Sequence, residues 1–342
     1  MVRVSINPQC YPDCLRSQSQ FRAYLALGAV CFFWGTTYLG IRMALETFPP
    51  AVLMSVRYTI SGVILLGAAF ATKAHVPSGR ELLLTALFGV IIIGLGTGCL
   101  VFAELLIPSG LAALFVTTSP FWLIGIEAAV PGGDRLHGPT IAGMLVGLCG
   151  TILLVAPAAV RDGVSGPVLK GFLILQLGCC GWSAGSILQR RHQTKAHPIV
   201  NSAVQQLATG LVFIMLALAW RTEPLRWSRR GTGALIYLVI FGSIVGYSAY
   251  IYALNSLPVS VVSIYNYINP IIAVLLGWLF YREQIGWPEL AAMVVIFIGV
   301  ALVKRHSAGV TRGRPMVLPV ESLTEEPPES VHKISSSTGN RA

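Results

Sequence analysis

Arg57 stands inside PAVLMSVRYTISGVILLGAAFA, a run that is otherwise apolar and begins at Pro50. At about 1.5 Å per residue, a helix starting at that proline would carry the guanidinium roughly 10 Å inward. A cation there costs a few kcal/mol on insertion scales, so it must face protein or water. Two chemistries fit. The cation could anchor an anion or carboxylate near the outer part of a cavity, or it could form a structural pair with Glu104, which ends another apolar run. A second group of residues points to the same depth. Trp34, Tyr38, Trp182, Tyr247, Tyr250, Tyr252, Tyr265 and Tyr267 are too many polar aromatics to face lipid alone. The run Tyr265-Asn266-Tyr267-Ile268-Asn269-Pro270 adds two amides beside a proline. That proline frees a backbone carbonyl at Asn266. The amides can satisfy it, bind a ligand, or hold helices together. A related run, Phe115–Pro120, supplies Thr117, Thr118 and Ser119 instead. The candidate cavity set is Trp34, Tyr38, Arg57, Thr117, Trp182, Tyr250, Tyr265, Asn266 and Asn269.

Other chemistries find little support. All six histidines fall in expected loops or the C-terminal tail, no H-E-x-x-H pair occurs, and no paired aspartates lie at depth. This argues against an intramembrane enzyme, a metal site or a catalytic residue. No GxxxxGK[ST] stretch is present to cradle a phosphate. Gly143, Gly147 and Gly150 read as a close-packing edge, and Pro120 and Pro270 as hinges. Asp134 and Glu283 are expected to cap the helices that follow them or to pair with Arg135 and Arg282. Glu104 and Glu127 lie close to span ends, where snorkelling suffices, so no midspan carboxylate offers itself as a proton carrier.

The elements that must position these groups follow from composition. Hydrophobic residues make up 54% of the 342-residue chain and charged residues only 11%. A soluble domain carries about twice that charge. Leu82–Ile93 and Ala291–Val303 do not alternate, which excludes a β-barrel. The expected class is an all-α polytopic membrane protein. Ten spans are placed at 22–44, 50–71, 82–105, 110–130, 139–158, 168–188, 199–220, 233–254, 258–280 and 287–303. A polar tail, 1–21, precedes them, and a tail of Ser, Pro and charge, 305–342, is expected to be disordered. Lys and Arg are denser on the face that carries both tails, which puts both termini in the cytoplasm; the arginines between Arg221 and Arg230 oppose that bias. The net charge of +10 belongs to those loops and tails and implies no nucleic-acid partner.

The spans repeat. Gly96, Pro108 and Pro120 answer Gly246, Pro258 and Pro270. Trp34 answers Trp182, Pro50 answers Pro198, Gly62 answers Gly210, and Arg57 answers Gln205. Each half, 22–158 and 168–304, thus holds five spans. The odd number makes the second copy enter from the opposite side, as inverted repeats. Such a pair can build two states open to opposite sides, which is what a transporter requires.

This pattern resembles the drug/metabolite transporter superfamily, and within it the EamA-type carriers. The resemblance rests on Trp34-Gly35-Thr36-Thr37-Tyr38 in the first span, Pro50 and Arg57 in the second, and Asp134 and Glu283 after the fourth and ninth, over roughly 22–304. Asp134 departs from the Glu common in the family. The resemblance implies an inner-membrane exporter or exchanger of small metabolites, such as amino acids, their derivatives or drugs, with a cavity shared by the halves. The expected partners are a small-molecule substrate and the lipid bilayer. No cofactor is implied, and a homodimer is admissible.

Overall fold

The computed structural model describes residues 10–72, 74–131, 138–162, 166–192, 196–220, 227–257, 259–262, 264–283 and 286–310. Among these, every regular element is helical. In chain order, α1 is Cys10–Leu45 and α2 is Pro50–Ala71. α3 joins Gly79–Gly89, Val90–Thr97 and Gly98–Ala103, while α4 joins Ser109–Val116 and Ser119–Ala129. α5 is Gly138–Asp162, α6 is Pro167–Arg191 and α7 is Pro198–Ala219. α8 joins Arg229–Tyr237, Leu238–Val245 and Gly246–Ser256. α9 joins Val259–Val262 and Tyr265–Tyr281, and α10 is Trp287–Val310.

Local chemistry sets many of these boundaries. Pro50, Pro167 and Pro198 open α2, α6 and α7, where a missing N–H costs nothing and φ is already helical. Among the described residues, seven helices are long and apolar enough to cross a membrane; α5 and α10 contribute the shorter apolar stretches Gly138–Leu153 and Trp287–Leu302. Leu83, Leu145, Met215 and Trp278 are largely exposed, on an outer surface that suits acyl chains and not water.

Two differences from the sequence reading concern helix ends. α1 begins at Cys10, inside the expected polar tail, and α10 runs to Val310, past the expected start of the C-terminal tail. Residues such as Lys304 and Arg305 form helix readily in water, so a helix need not stop where its apolar stretch does. Residues 311–342 and Asp134 lie outside the described residues.

Two further differences lie inside the helices. α3 and α8 each change to wide π turns in the middle, at Val90–Thr97 and Leu238–Val245, in equivalent parts of the two halves. Such turns are rare and concentrate at functional sites. α4 and α9 are each broken shortly before their prolines. At α4 the ladder tightens, Thr117 N–H donating to Leu114 at 3.1 Å and Thr118 N–H to Phe115 at 3.2 Å.

The packing is shared between halves. α2 lies along α7, and α5 along α10. α1 packs on α8 and α9, as α6 does on α3 and α4. Exchanging the halves maps the α2–α7 and α5–α10 pairs onto themselves and turns the α1 pairs into the α6 pairs. Small residues allow the close crossings. A Cβ on Gly62 would meet Leu207, and one on Gly210 would meet Thr59, the equivalent position. A Cβ on Gly299 would run into the backbone of Gly143 and Gly147, and one on Gly150 into Ile296. Gly143, Gly147 and Gly150 thus stand at the α5–α10 crossing.

Candidate functional site

A cavity of about 810 Å³, counting its open mouth, lies between the halves. It is lined from α1 by Trp34, Thr37 and Tyr38, from α2 by Arg57 and Tyr58, and from α3 by Gly96 and Thr97. α4 adds Ser119, and α6 adds Cys179 and Trp182. α8 adds Gly242, Ser243 and Tyr247, and α9 adds Tyr265, Asn266 and Asn269.

Paired tryptophans organise its walls. The rings of Trp34 and Trp182 meet edge-on, with centroids 5.5 Å apart. Each lies against a glycine of the other half. A Cβ on Gly246 would come within 2.6 Å of Trp34 Nε1, and one on Gly96 within 2.9 Å of the Trp182 ring. Trp34 also donates its indole N–H to the Gly242 carbonyl at 3.1 Å. Tyr265 stands edge-on to Trp34 at 5.4 Å.

Arg57 is 4% exposed and enters this aromatic surround from α2. Its Nε donates to Ser243 Oγ at 2.8 Å, and its guanidinium lies 4.9 Å from the Tyr58 ring centre. Its Nη1 has no hydrogen-bond partner, and no carboxylate forms an ion pair with it among the described residues. The pairing with Glu104 weighed from sequence is absent. Glu104 sits one turn beyond the cavity, past Leu100, and Arg42 of α1 donates to its backbone carbonyl. The wide turns of α8 instead present Gly242 and Ser243 to Arg57; a Cβ on Gly242 would lie 2.7 Å from Nη2.

Of the nine candidate cavity residues, seven line the cavity. Thr117 does not: it is buried and its hydroxyl donates back to Leu114 O at 2.6 Å within its own turn. Ser119, two residues on, lines the cavity in its place. Tyr250 stands behind the lining, its ring 5.0 Å from that of Trp34 and 5.7 Å from that of Trp182, so it supports the tryptophans. Asn269, with its amide turned to suit its neighbours, donates to Cys31 O at 2.9 Å and Tyr265 O at 3.1 Å, so part of its capacity ties α9 to α1. Sequence reasoning missed Ser243, Gly242, Thr37 and Cys179. These are small residues in apolar runs, and only the helix packing aims them inward.

The acidic residues also differ from expectation. Among the described residues, Glu283 neither caps the next helix nor pairs with Arg282. Its Oε1 accepts from Ser109 N–H at 3.0 Å and Ser109 Oγ at 2.9 Å, and its Oε2 accepts from Gly110 N–H at 3.0 Å. It therefore closes the N-terminus of α4, in the other half, where free N–H groups and the helix dipole favour an anion. Glu127 does not rely on snorkelling alone: it joins the end of α4 to Arg190 and Arg191 at the end of α6, at 2.7 and 3.3 Å.

Chemically, the cavity offers one unpaired cation among the described residues, several aromatic faces, amides and hydroxyls. The cation suits a carboxylate, and ring faces suit an ammonium group or an apolar side chain.

Two segments of the chain, 21–156 and 169–305, match the model of the EamA-like transporter family. An uncharacterized inner membrane transporter, YedA, of Escherichia coli (strain K12) is 32% identical over 298 residues, covering 86% of this chain and 94% of that protein. A probable terminal-alkyne amino-acid exporter of Streptantibioticus cattleyicolor is 25% identical, covering 84% and 95%. A solved crystal structure of a protein 22% identical superposes with a TM-score of 0.62, over 84% of this chain and 98% of that one, a likeness in fold.

Proposed function

The chain belongs to the EamA-like transporter family, and from that premise we propose that it is a secondary carrier exporting or exchanging small organic metabolites that bear a carboxylate, amino acids or their derivatives foremost. It does so by alternating access between two inverted five-helix halves, ten spans in all, in a bacterial-type inner membrane with both termini in the cytoplasm.

The single observation that carries the substrate class is Arg57: a cation with almost no exposed surface, one Nη without a partner, and no acid to neutralise it. A permanently unpaired buried charge costs several kcal/mol. A carboxylate that arrives with the substrate relieves that cost, and a charge-assisted hydrogen bond contributes about 1.5–3 kcal/mol. The tryptophan pair and Tyr265 then face the rest of the molecule. The name of the Streptantibioticus cattleyicolor relative, an amino-acid exporter, agrees with this reading.

The inverted arrangement draws support from helix ends. The end of α1 meets the ends of α3 and α9 through Arg42, Glu104 and Tyr281, whereas the end of α6 meets that of α4 through Arg190 and Glu127. α1 and α6 are equivalent, so their ends lie with opposite sets of partners. An axis in the membrane plane relates halves of that kind.

The test is counterflow of a panel of labelled amino acids in proteoliposomes. Saturable exchange of at least one of them by the wild-type protein, inhibited by free carboxylates, is the expected result. Exchange of none of the panel by folded protein would overturn the substrate class.

A further inference from the structure

We propose that Glu104 is a proton-binding site that couples this carrier's opening to proton release: closed, as here, it holds a proton, and when this end of the molecule opens it gives the proton to water. The inference rests on the carrier reading above and adds a proton-dependent gate at one end of the bundle.

Glu104 follows directly on the last helical residue of α3, Ala103, so it lies just outside the span Gly79–Ala103. It has no exposed surface, and neither carboxyl oxygen has a hydrogen-bond partner. An anion so placed would lack both water and donors, at a cost of several kcal/mol, whereas the neutral acid fits the site.

Charged and titratable groups face it from two sides. From α1 come Arg42, which spends an Nη1 donor on the Glu104 backbone carbonyl and not on the carboxyl, and Tyr38. From the end of α9 comes Glu283, whose oxygens are taken by the N-terminus of α4 and whose charge opposes a second anion nearby. Burial raises the affinity of Glu104 for a proton, Arg42 opposes that effect, and Glu283 adds to it.

The position gives the proton consequences. Leu100, one turn earlier on α3, lines the cavity, as do Tyr38 and Ile41 on the facing turn of α1. Glu104 thus lies between the cavity and the end of the bundle where α1, α3, α4 and α9 converge. To open that end, α4 must part from Glu283, and water must reach Glu104. Hydration restores an ordinary carboxyl, which ionises at neutral pH. Ionisation in turn opposes reclosure, because the anion would have to be buried again. The second half has Leu254 at the corresponding place, so only one of the two gates carries this group.

The experiment reads the gate directly and needs no substrate. Ile107 is 1% exposed and lies against Gly171 beside this end of the bundle. In the full-length protein with Ile107→Cys, maleimide labelling of that site is followed by peptide mass spectrometry between about pH 5.5 and 8.5. Normalisation to the unfolded protein at each pH removes the thiol's own titration. Labelling should rise by about tenfold or more across this range when Glu104 is present. It should stay flat within about twofold in Glu104→Gln, whose amide fixes the uncharged form. Glu104→Asp should keep the rise, which preserves the test should the Gln variant fold poorly. A flat response with Glu104 present, or an undiminished rise in folded Glu104→Gln, would overturn the proposal. The same reporter in Arg57→Gln should respond as in the wild type, so failure of the carboxylate anchor and failure of the proton site give different results.

Discussion

The two halves of the molecule agree where helices cross and disagree where charge is buried. Trp34 lies on Gly246 as Trp182 lies on Gly96, and Gly62 opposes Leu207 as Gly210 opposes Thr59. π turns interrupt α3 and α8 at equivalent places. Yet Arg57 in the first half has Gln205 as its counterpart in the second, and there the side-chain oxygen accepts from the Tyr247 hydroxyl while the amide nitrogen has no partner. Glu104 has only Leu254 as its counterpart. The shared positions build a frame that can pass between two related states. The unshared ones are where, on the proposed function, cargo and gating would be set. A carrier made of two identical halves would treat both membrane faces alike, so the departures from symmetry are where selectivity must be sought.

The sharpest way to break the comparison is to erase its largest departure. Arg57→Gln gives the first half the residue the second already has. We expect folded protein whose counterflow of carboxylate-bearing amino acids falls about tenfold or more, from the loss of one charge-assisted hydrogen bond worth roughly 1.5–3 kcal/mol. An Arg57→Gln protein with wild-type counterflow would remove the anchor. The frame can be probed at its symmetric crossing. Gly62→Val and Gly210→Val each push a side chain into the opposite helix, and overpacking of this kind costs about 1–3 kcal/mol. The two should lower the thermal midpoint by similar amounts; a large difference between them would show that the α2–α7 crossing is not equivalent from its two sides.

A smaller effect is expected at the cap between halves. Glu283→Gln keeps an acceptor but loses the charge at the N-terminus of α4, a change of about 0.5–2 kcal/mol that denaturation with and without salt should register. Smallest of all is Arg190→Gln at the opposite end. Its side chain is 47% exposed and Arg191 still holds Glu127, so the expected change is about 0–1 kcal/mol.

Much of this was legible in the amino-acid order because a membrane simplifies the problem. Long apolar runs must be helices, and the internal repeat fixes which helices correspond. The aromatic and amide side chains of the cavity were legible in part, since Trp34, Trp182 and Asn266 are costly to leave facing lipid, although the same amides could equally have tied helices together. What could not be read was set by rotation about helix axes. Thr117 and Ser119 lie two residues apart on one turn, and only the break before Pro120 decides which of them faces inward. The partner of Arg57 was hidden for a related reason. Ser243 is a single hydroxyl in an apolar stretch, presented by wide turns that no propensity scale anticipates. Glu283 was misassigned because its contact crosses between halves, 174 positions from Ser109, and local sequence favours the nearest helix end.

That last contact also sets a timetable for biogenesis. The N-terminus of α4 leaves the ribosome long before the residue that completes it. At about 5–20 residues per second, roughly nine to thirty-five seconds of synthesis separate Ser109 from Glu283. Throughout that interval the nascent first half holds a helix start with bare N–H groups near the bilayer, and must borrow water, lipid headgroups or the insertion machinery to satisfy them. The halves can enter the membrane in order, but the first becomes a finished object only after nearly all of the second has been made.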